Sequence, residues 1–315
     1  MKLPIHLAWG VSIFIALQWV GMVNCPVKGP AQTTQLHIGL YARSITEPAG
    51  RKDSETTLNF LLKELLAAAK KQHRFNITDI KAILFDDIDG MRAALLLGDL
   101  DMIVAPPFLI SKYFKRDELT MGFAGVLHNG QPDSILLIAR ADKGIASVEN
   151  LSGKKILLLE DDELTEVFID YLCLKQFKKS YKAILSAVER QQKASHIILD
   201  IYFNKADAGV VFRGAYELMA GLNPDVAKKV MVIESYPSKS RNVSFFRKDY
   251  PYAKEILVLA QTSFKEDART KQILEIFRTS GLYPFNVEEL GQFDEFYVDY
   301  QKLRHQAGLL PLTRK

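Results

Sequence analysis

Ile77–Ala105 reads ITDIKAILFDDIDGMRAALLLGDLDMIVA, and three consecutive patterns in it decide the fold. Ile77–Phe85 is apolar and β-branched enough for a strand. Asp86–Leu97 predicts a short helix closed by Gly98, where the lack of a Cβ relieves a left-handed turn. Leu100–Ala105 predicts another strand, broken by Pro106-Pro107. Asp86, Asp87 and Asp89 before Gly90 share residue types with a calcium loop, but its distal Glu is absent, so they read as a helix cap. Working outward, Leu36–Tyr41 (LHIGLY) predicts a strand, followed by a loop over Ala42–Lys52. A helix capped by Asp53 or Ser54 comes next, with Leu58, Leu61, Leu62, Leu65, Leu66 and Ala69 on one face. A β-α-β-α-β order implies a parallel sheet covered by helices, an α/β fold.

The alternation resumes further on. Strands are predicted at Ser134–Ala139, Lys155–Leu159, Ala206–Phe212, Val230–Glu234 and Ser244–Arg247. Val148–Gly153 reads as a turn and Leu164–Phe177 as a helix. Val188–Phe203 reads as an interrupted helix, and helices dominate after Tyr252, over Tyr252–Ser263, Thr270–Ser280 and Glu288–Gln306. This order divides into a first lobe at 35–130 and 236–315 and a second at 131–235. The chain then crosses between lobes twice, which makes a hinge, and ligands favour the cleft at such a junction.

Length and composition set the outer bounds. A chain of 315 residues suggests about two domains. With 48% hydrophobic and 25% charged residues it is neither a disordered tail nor a polytopic membrane protein. Forty-one basic against 37 acidic residues leave 41 − 37 = +4, with no basic block, so nucleic acid is not the expected partner. Two cysteines, Cys25 and Cys173, support neither a disulfide framework nor a four-thiolate zinc site. Cys173 reads as a small buried hydrophobe. Met1–Val23 carries one cation, Lys2, and then an apolar run. Residues 1–25 therefore read as a secretory leader, an uncleaved anchor, or a lipoprotein segment lipidated at Cys25. Each of these puts the remaining chain outside the cytoplasm, and without that segment its charge is 4 − 1 = +3.

Four stretches resemble the phosphate/phosphite/phosphonate-binding family of ABC importers. They are IGLYARS, ALLLGDLDMIVAPPFLI, VENLSGKKILLLE and SHIILDIYFNKADAGVVFRGAYELM, spread over a similarity that runs from about Leu36 to Leu303. The resemblance implies a type II periplasmic binding protein fold, with two lobes, each a central sheet flanked by helices, joined by two hinge crossings. It further implies a periplasmic receptor that closes on a small anion and docks an ABC permease. A membrane sensor protein is the alternative partner. No catalytic activity, cofactor or metal is expected. Catalysis on the same fold, with the Glu160–Glu163 cluster and His196 as acid/base groups, is the remaining class, and no nucleophile–base pair or metal spacing supports it.

The resemblance also suggests where a ligand sits. The family's Ser-Thr-Ser-Gly anion cradle aligns on Glu163, Leu164, Thr165 and Glu166, of which only Thr165 keeps a hydroxyl. Glu160, Asp161, Asp162 and Glu163 stand beside it, and four carboxylates repel an incoming phosphate. They read as a helix cap, as partners for an amine-bearing ligand, or as a metal site. His196 and Asp207 stand at the family's cleft histidine and aspartate positions. Arg43 follows the first strand and Arg213 follows the Gly209–Phe212 strand, and strand carboxyl ends face the crevice in open α/β sheets. Two convergent arginines suit a carboxylate or phosphonate. Tyr41 and Phe108 are candidate walls of the same cleft.

Overall fold

The computed structural model describes residues 34–45, 51–72, 77–126, 133–239, 242–266, 268–276 and 281–310. The leader and Cys25 lie outside the described residues. Strand β1 (Thr34–Tyr41) is followed by a single helical turn, α1 (Ala42–Ile45), and by α2 (Arg51–Gln72). Then come β2 (Ile77–Phe85), α3 (Ile88–Leu97) and β3 (Met102–Ala105). β1 pairs in parallel with β2 on one side and β3 on the other, as the opening pattern requires. Asp87 caps α3 by accepting from Gly90 N, and Gly98 ends it at φ 84°. Met91 and Leu95 are fully buried. The aspartates before Gly90 are thus a helix cap.

The proline pair does more than end a strand. Pro107 opens α4 (Pro107–Tyr113), where a missing N–H costs a helix nothing. Three antiparallel strands complete the first sheet: β4 (Leu119–Val126), β10 (Val243–Arg247) and β11 (Gly281–Phe285), in the order β11-β4-β10-β3-β1-β2. The sheet is mixed rather than purely parallel. Glycines dilute the apolar pattern of β4, and Gly122 is needed there, because a Cβ would lie 1.7 Å from the Ser244 carbonyl oxygen on β10. β11 falls between the helices expected at Thr270–Ser280 and Glu288–Gln306, where no strand was expected. It is an edge strand and tolerates Pro284 on that account.

The second sheet holds β5 (Asp133–Arg140), β6 (Lys155–Leu159), β7 (Ala187–Gln191), β8 (Ala208–Phe212) and β9 (Val230–Lys239), in the order β7-β6-β8-β5-β9. Helices α5 (Glu163–Phe177), α6 (Tyr181–Ile184), α7 (Ala194–Tyr202), α8 (Arg213–Leu222) and α9 (Pro224–Lys229) accompany it. Val188–Phe203, read as interrupted helix, is instead the edge strand β7 and then α7. β7 is largely solvated and carries little apolar signal, while the helical apolar face begins only at Ile197 and Ile198. β9 runs to Lys239, past the expected boundary at residue 235.

The chain passes between the sheets twice, from β4 to β5 and from β9 to β10. After β10 follow α10 (Ala253–Glu266), α11 (Ala268–Ile276) and finally α12 (Gly291–Gln306). α12 lies against both lobes. On its first-lobe side Asp294 accepts from Ser111 Oγ at 2.7 Å and pairs with Arg116. On the other side Tyr300 OH and Arg304 Nη1 donate to Asp170 of α5 at 2.7 and 3.2 Å. Phe296 contacts Phe108 of α4, Tyr171 of α5 and Tyr236 of β9, so buried apolar contact is continuous from lobe to lobe. No helix among the described residues is long and apolar enough to cross a membrane.

Asp170 is buried and also accepts from Ser180 Oγ and Tyr181 N. Asp170→Ala strands all of these donors and the Arg304 charge, so a loss of about 3 kcal/mol is expected in urea unfolding. A loss below about 1 kcal/mol would mean that water replaces the carboxylate at no cost.

Candidate functional site

The carboxyl ends of the parallel strands in the two sheets converge on one narrow cleft. β1 ends at Tyr41, and Arg43 lies just beyond it in α1. β3 leads into Pro106, Pro107 and Phe108 at the start of α4. Facing them, β6 ends at Leu159 and runs into Glu160–Glu163, while β7 and β8 contribute Gln192 and Phe212. These residues enclose a cavity of about 60 Å³. It sits where open α/β sheets hold ligands, outside the strand ends.

The backbone of the acidic loop is fixed by local bonds. Glu160 N donates to Gln191 O at 2.9 Å, which ties the loop to the end of β7. Asp161 takes a left-handed conformation, φ 57°, which Asp tolerates better than most residues. That turn sets Asp162 as the N-cap of α5, accepting from Thr165 N at 3.0 Å. Thr165 Oγ1 donates to Asp162 O at 2.9 Å, so the hydroxyl expected to meet a ligand is spent on the cap.

The other two acids reach across the cleft. Asp161 Oδ1 lies 2.9 Å from Arg43 Nη1, with both side chains about half exposed. Glu163 pairs with Lys112 of α4, whose side chain is only 8% exposed. The Lys112 ammonium also lies 4.8 Å from the Tyr113 ring centroid and 5.9 Å from that of Tyr297. Burial disfavours its charge, but the hydrogen bond and charge of Glu163 outweigh this and hold its pKa above the usual lysine range. Burial raises the pKa of Tyr41, Arg43 opposes the rise, and Asp161 and Glu163 add to it. The Tyr41 hydroxyl therefore stays a neutral donor across the physiological range.

Four of the eight residues expected at the site meet here: Tyr41, Arg43, Phe108 and Glu163. The other four do not line the cleft. Thr165 is buried beneath the cap. His196 is exposed in the first turn of α7. Asp207 lies at the opposite, amino ends of the strands, where Oδ2 accepts from Lys155 N at 2.8 Å and so joins the starts of β6 and β8. Arg213, the first residue of α8, lies 3.8 Å from Glu217 on the same helix. Lys112 went unrecognised in the sequence. Its signal was its spacing, since it stands four residues beyond Phe108 and so shares that residue's helix face. Among the described residues no group of three or more His, Cys, Asp or Glu side chains is arranged to hold a metal ion. Burial pushes the Cys173 thiol up to about 12, with the Asp170 charge adding to the rise, which leaves no thiolate nucleophile at neutral pH.

A sequence model of the family described as "ABC transporter, phosphonate, periplasmic substrate-binding protein" matches residues 61–290. Among solved structures the chain is similar to a binding protein component of an ABC phosphonate transporter from Pseudomonas aeruginosa. That likeness has 15% identity, covers 87% of this chain and 89% of the other, and has a TM-score of 0.62. PhnD1 from Prochlorococcus marinus, in complex with methylphosphonate, matches at 11% identity over 85% and 98% of the chains with a TM-score of 0.60. The periplasmic aliphatic sulphonate-binding protein SsuA from Escherichia coli matches at 13% over 86% and 93%, with a TM-score of 0.51. At these identities the likenesses establish a shared two-lobe fold. Comparison with curated proteins gives no match.

The positions of Thr165 and Asp207 make their roles structural. Thr165→Val and Asp207→Ala should each lower unfolding stability by about 1 kcal/mol, the worth of a lost internal hydrogen bond. Calorimetric affinity for any ligand of the cleft should be unchanged in both. A tenfold loss of affinity with stability kept would return these residues to the site.

Proposed function

The chain belongs to the family of periplasmic substrate-binding proteins of phosphonate ABC transporters, and on that premise we propose that its own ligand carries an amine beside the phosphonate. Members of the family bind a small molecule in the periplasm and deliver it to an ABC permease, and the family is one of receptors rather than enzymes. One observation carries the ligand reading. Four carboxylates, Glu160–Glu163, crowd the cleft, and Arg43 and Lys112 of lobe one pair with two of them. A dianion alone meets repulsion there, while a zwitterion satisfies both signs.

The division of labour follows from the contacts. The α5 N-terminus is already capped by Asp162, so lobe two has less to offer an anion than an uncapped helix would. The phosphonate therefore sits towards lobe one, with its oxygens on the forked Arg43 guanidinium and the Tyr41 hydroxyl. The amine faces Glu160 and Asp161, and Phe108 walls the apolar link between the two ends. Lobe boundaries that suit this reading follow the sheets: 35–130 and 240 onward for the first lobe, 131–239 for the second, with α12 shared. Residues 1–25 serve export, whether removed, kept as an anchor, or lipidated at Cys25. The family supports a permease as partner, and the membrane sensor has no comparable support.

Calorimetry of the mature chain with 2-aminoethylphosphonate, methylphosphonate and inorganic phosphate tests the proposal. The amine-bearing compound should bind tightest. Arg43→Ala should weaken it about tenfold or more, which corresponds to ~1.4 kcal/mol. Glu160→Gln should weaken 2-aminoethylphosphonate and leave methylphosphonate unchanged. Methylphosphonate binding as tightly as its amino analogue would overturn the amine assignment.

A further inference from the structure

Among the described residues, the ion pairs Arg43–Asp161 and Lys112–Glu163 cross between the lobes without passing through α12. Each joins the first lobe to the second. Arg43 lies in α1 and Lys112 in α4, around the first sheet, whereas both acids come from the loop between β6 and α5. We propose that Asp161 and Glu163 are a latch, two built-in anions that hold the lobes together through Arg43 and Lys112 and that an anionic ligand must displace.

The two pairs contribute unequally. Arg43–Asp161 is about half exposed, and a pair of that kind contributes little. Lys112 is 8% exposed, wedged between Glu163 and the Tyr113 and Tyr297 rings. A buried ammonium needs its partner, since stranding one charge costs far more than the pair itself gains. When the lobes part, Lys112 and Glu163 both return to water, so this contact stabilises the closed arrangement alone. A contact present in only one of two conformations sets their ratio.

α12 indicates which contacts break on opening. Its bonds to lobe two, Tyr300 and Arg304 on Asp170, are buried, with the acceptor carboxylate almost fully enclosed. Its bonds to lobe one, through Asp294 to Ser111 and Arg116, are about one-third exposed on the ionic side. Phe296 and Tyr297 also pack on Phe108 of α4, so α12 is held by both lobes. The contact that parts when the β6–α5 loop leaves α4 is Glu163 on Lys112, and the lysine then becomes hydrated. Because Asp161 stands on Arg43, the cation assigned to the phosphonate, the displacement step rests on the cleft being the phosphonate site, while the closure step does not.

Small-angle X-ray scattering of the mature chain, together with urea unfolding, tests closure directly. Glu163→Gln leaves Lys112 without a counter-charge in the closed form only. The closed-to-open ratio should fall at least about tenfold, read as a larger radius of gyration at unchanged secondary structure. Lys112→Met combined with Glu163→Gln removes the stranded charge and should restore the compact radius. Asp161→Asn, on the exposed pair, should give a smaller expansion and provides a second test should Glu163→Gln unfold. Unchanged radii in both folded single variants would overturn the latch. So would a double variant as expanded as Glu163→Gln. In calorimetry with methylphosphonate, Asp161→Asn should bind several-fold tighter, because no carboxylate then has to leave Arg43, the cation assigned to the phosphonate. Scattering changes accompanied by no phosphonate binding would leave the latch standing and remove the ligand reading instead.

Discussion

The carboxylate of Asp170 sits in the interior of the second lobe and would be intolerable there without donors. It has them from two elements: Ser180 and Tyr181 at the start of α6, and Tyr300 and Arg304 on α12. Burial and the Asp170 charge both drive the Tyr300 pKa up, Arg304 only partly opposing them, so the phenol keeps its proton and remains a donor. Fixing Tyr300 and Arg304 fixes the azimuth of α12. That azimuth points Phe296 at Tyr171 and Tyr236 in one lobe and at Phe108 in the other. It also lays Tyr297 beside Lys112. The cleft inherits its geometry from this chain of contacts, and Phe108 and Lys112 are placed as much by the last helix as by their own.

The β-α-β-α-β core was readable because each signal was local. Asp87 and Gly98 are cap residues at the two ends of one helix, and the strands on either side are short and apolar. β4, β7 and β11 were hidden for different physical reasons. β4 needs glycine where Ser244 approaches, β7 is a solvated edge with little apolar content, and β11 is an edge that admits Pro284. In each case a tertiary neighbour, rather than an intrinsic preference, makes the strand.

The site was half legible for a similar reason. Tyr41 and Arg43 could be placed because they follow a strand whose carboxyl end must face the crevice, and Phe108 because it follows the next such strand. His196 and Asp207 were carried by family position alone. The structure gives Asp207 a bond with Lys155 N at the amino ends of β6 and β8, the end of the sheet away from the cleft. Lys112 could not be identified until α4 was known to begin at Pro107, since the proline pair reads as a strand terminator before it reads as a helix start.

The acidic loop brings these threads together. The four adjacent acids have different physical situations, set by one left-handed residue. Asp161 at φ 57° reverses the chain, which turns Asp162 back onto the α5 N–H groups and leaves Asp161 and Glu163 on the side of the opposite lobe. A helix N-terminus with a free first turn would draw a ligand anion to lobe two through the macrodipole. Here the Asp162 carboxylate already occupies that place, covalently attached and at an effective concentration no solute matches. On the proposed reading, anion recognition falls to side-chain cations on lobe one, because the first turn of α5 already takes its negative charge from its own loop. The same substitution of carboxylates for hydroxyls that removes the cradle also supplies the contacts that bring the two lobes together.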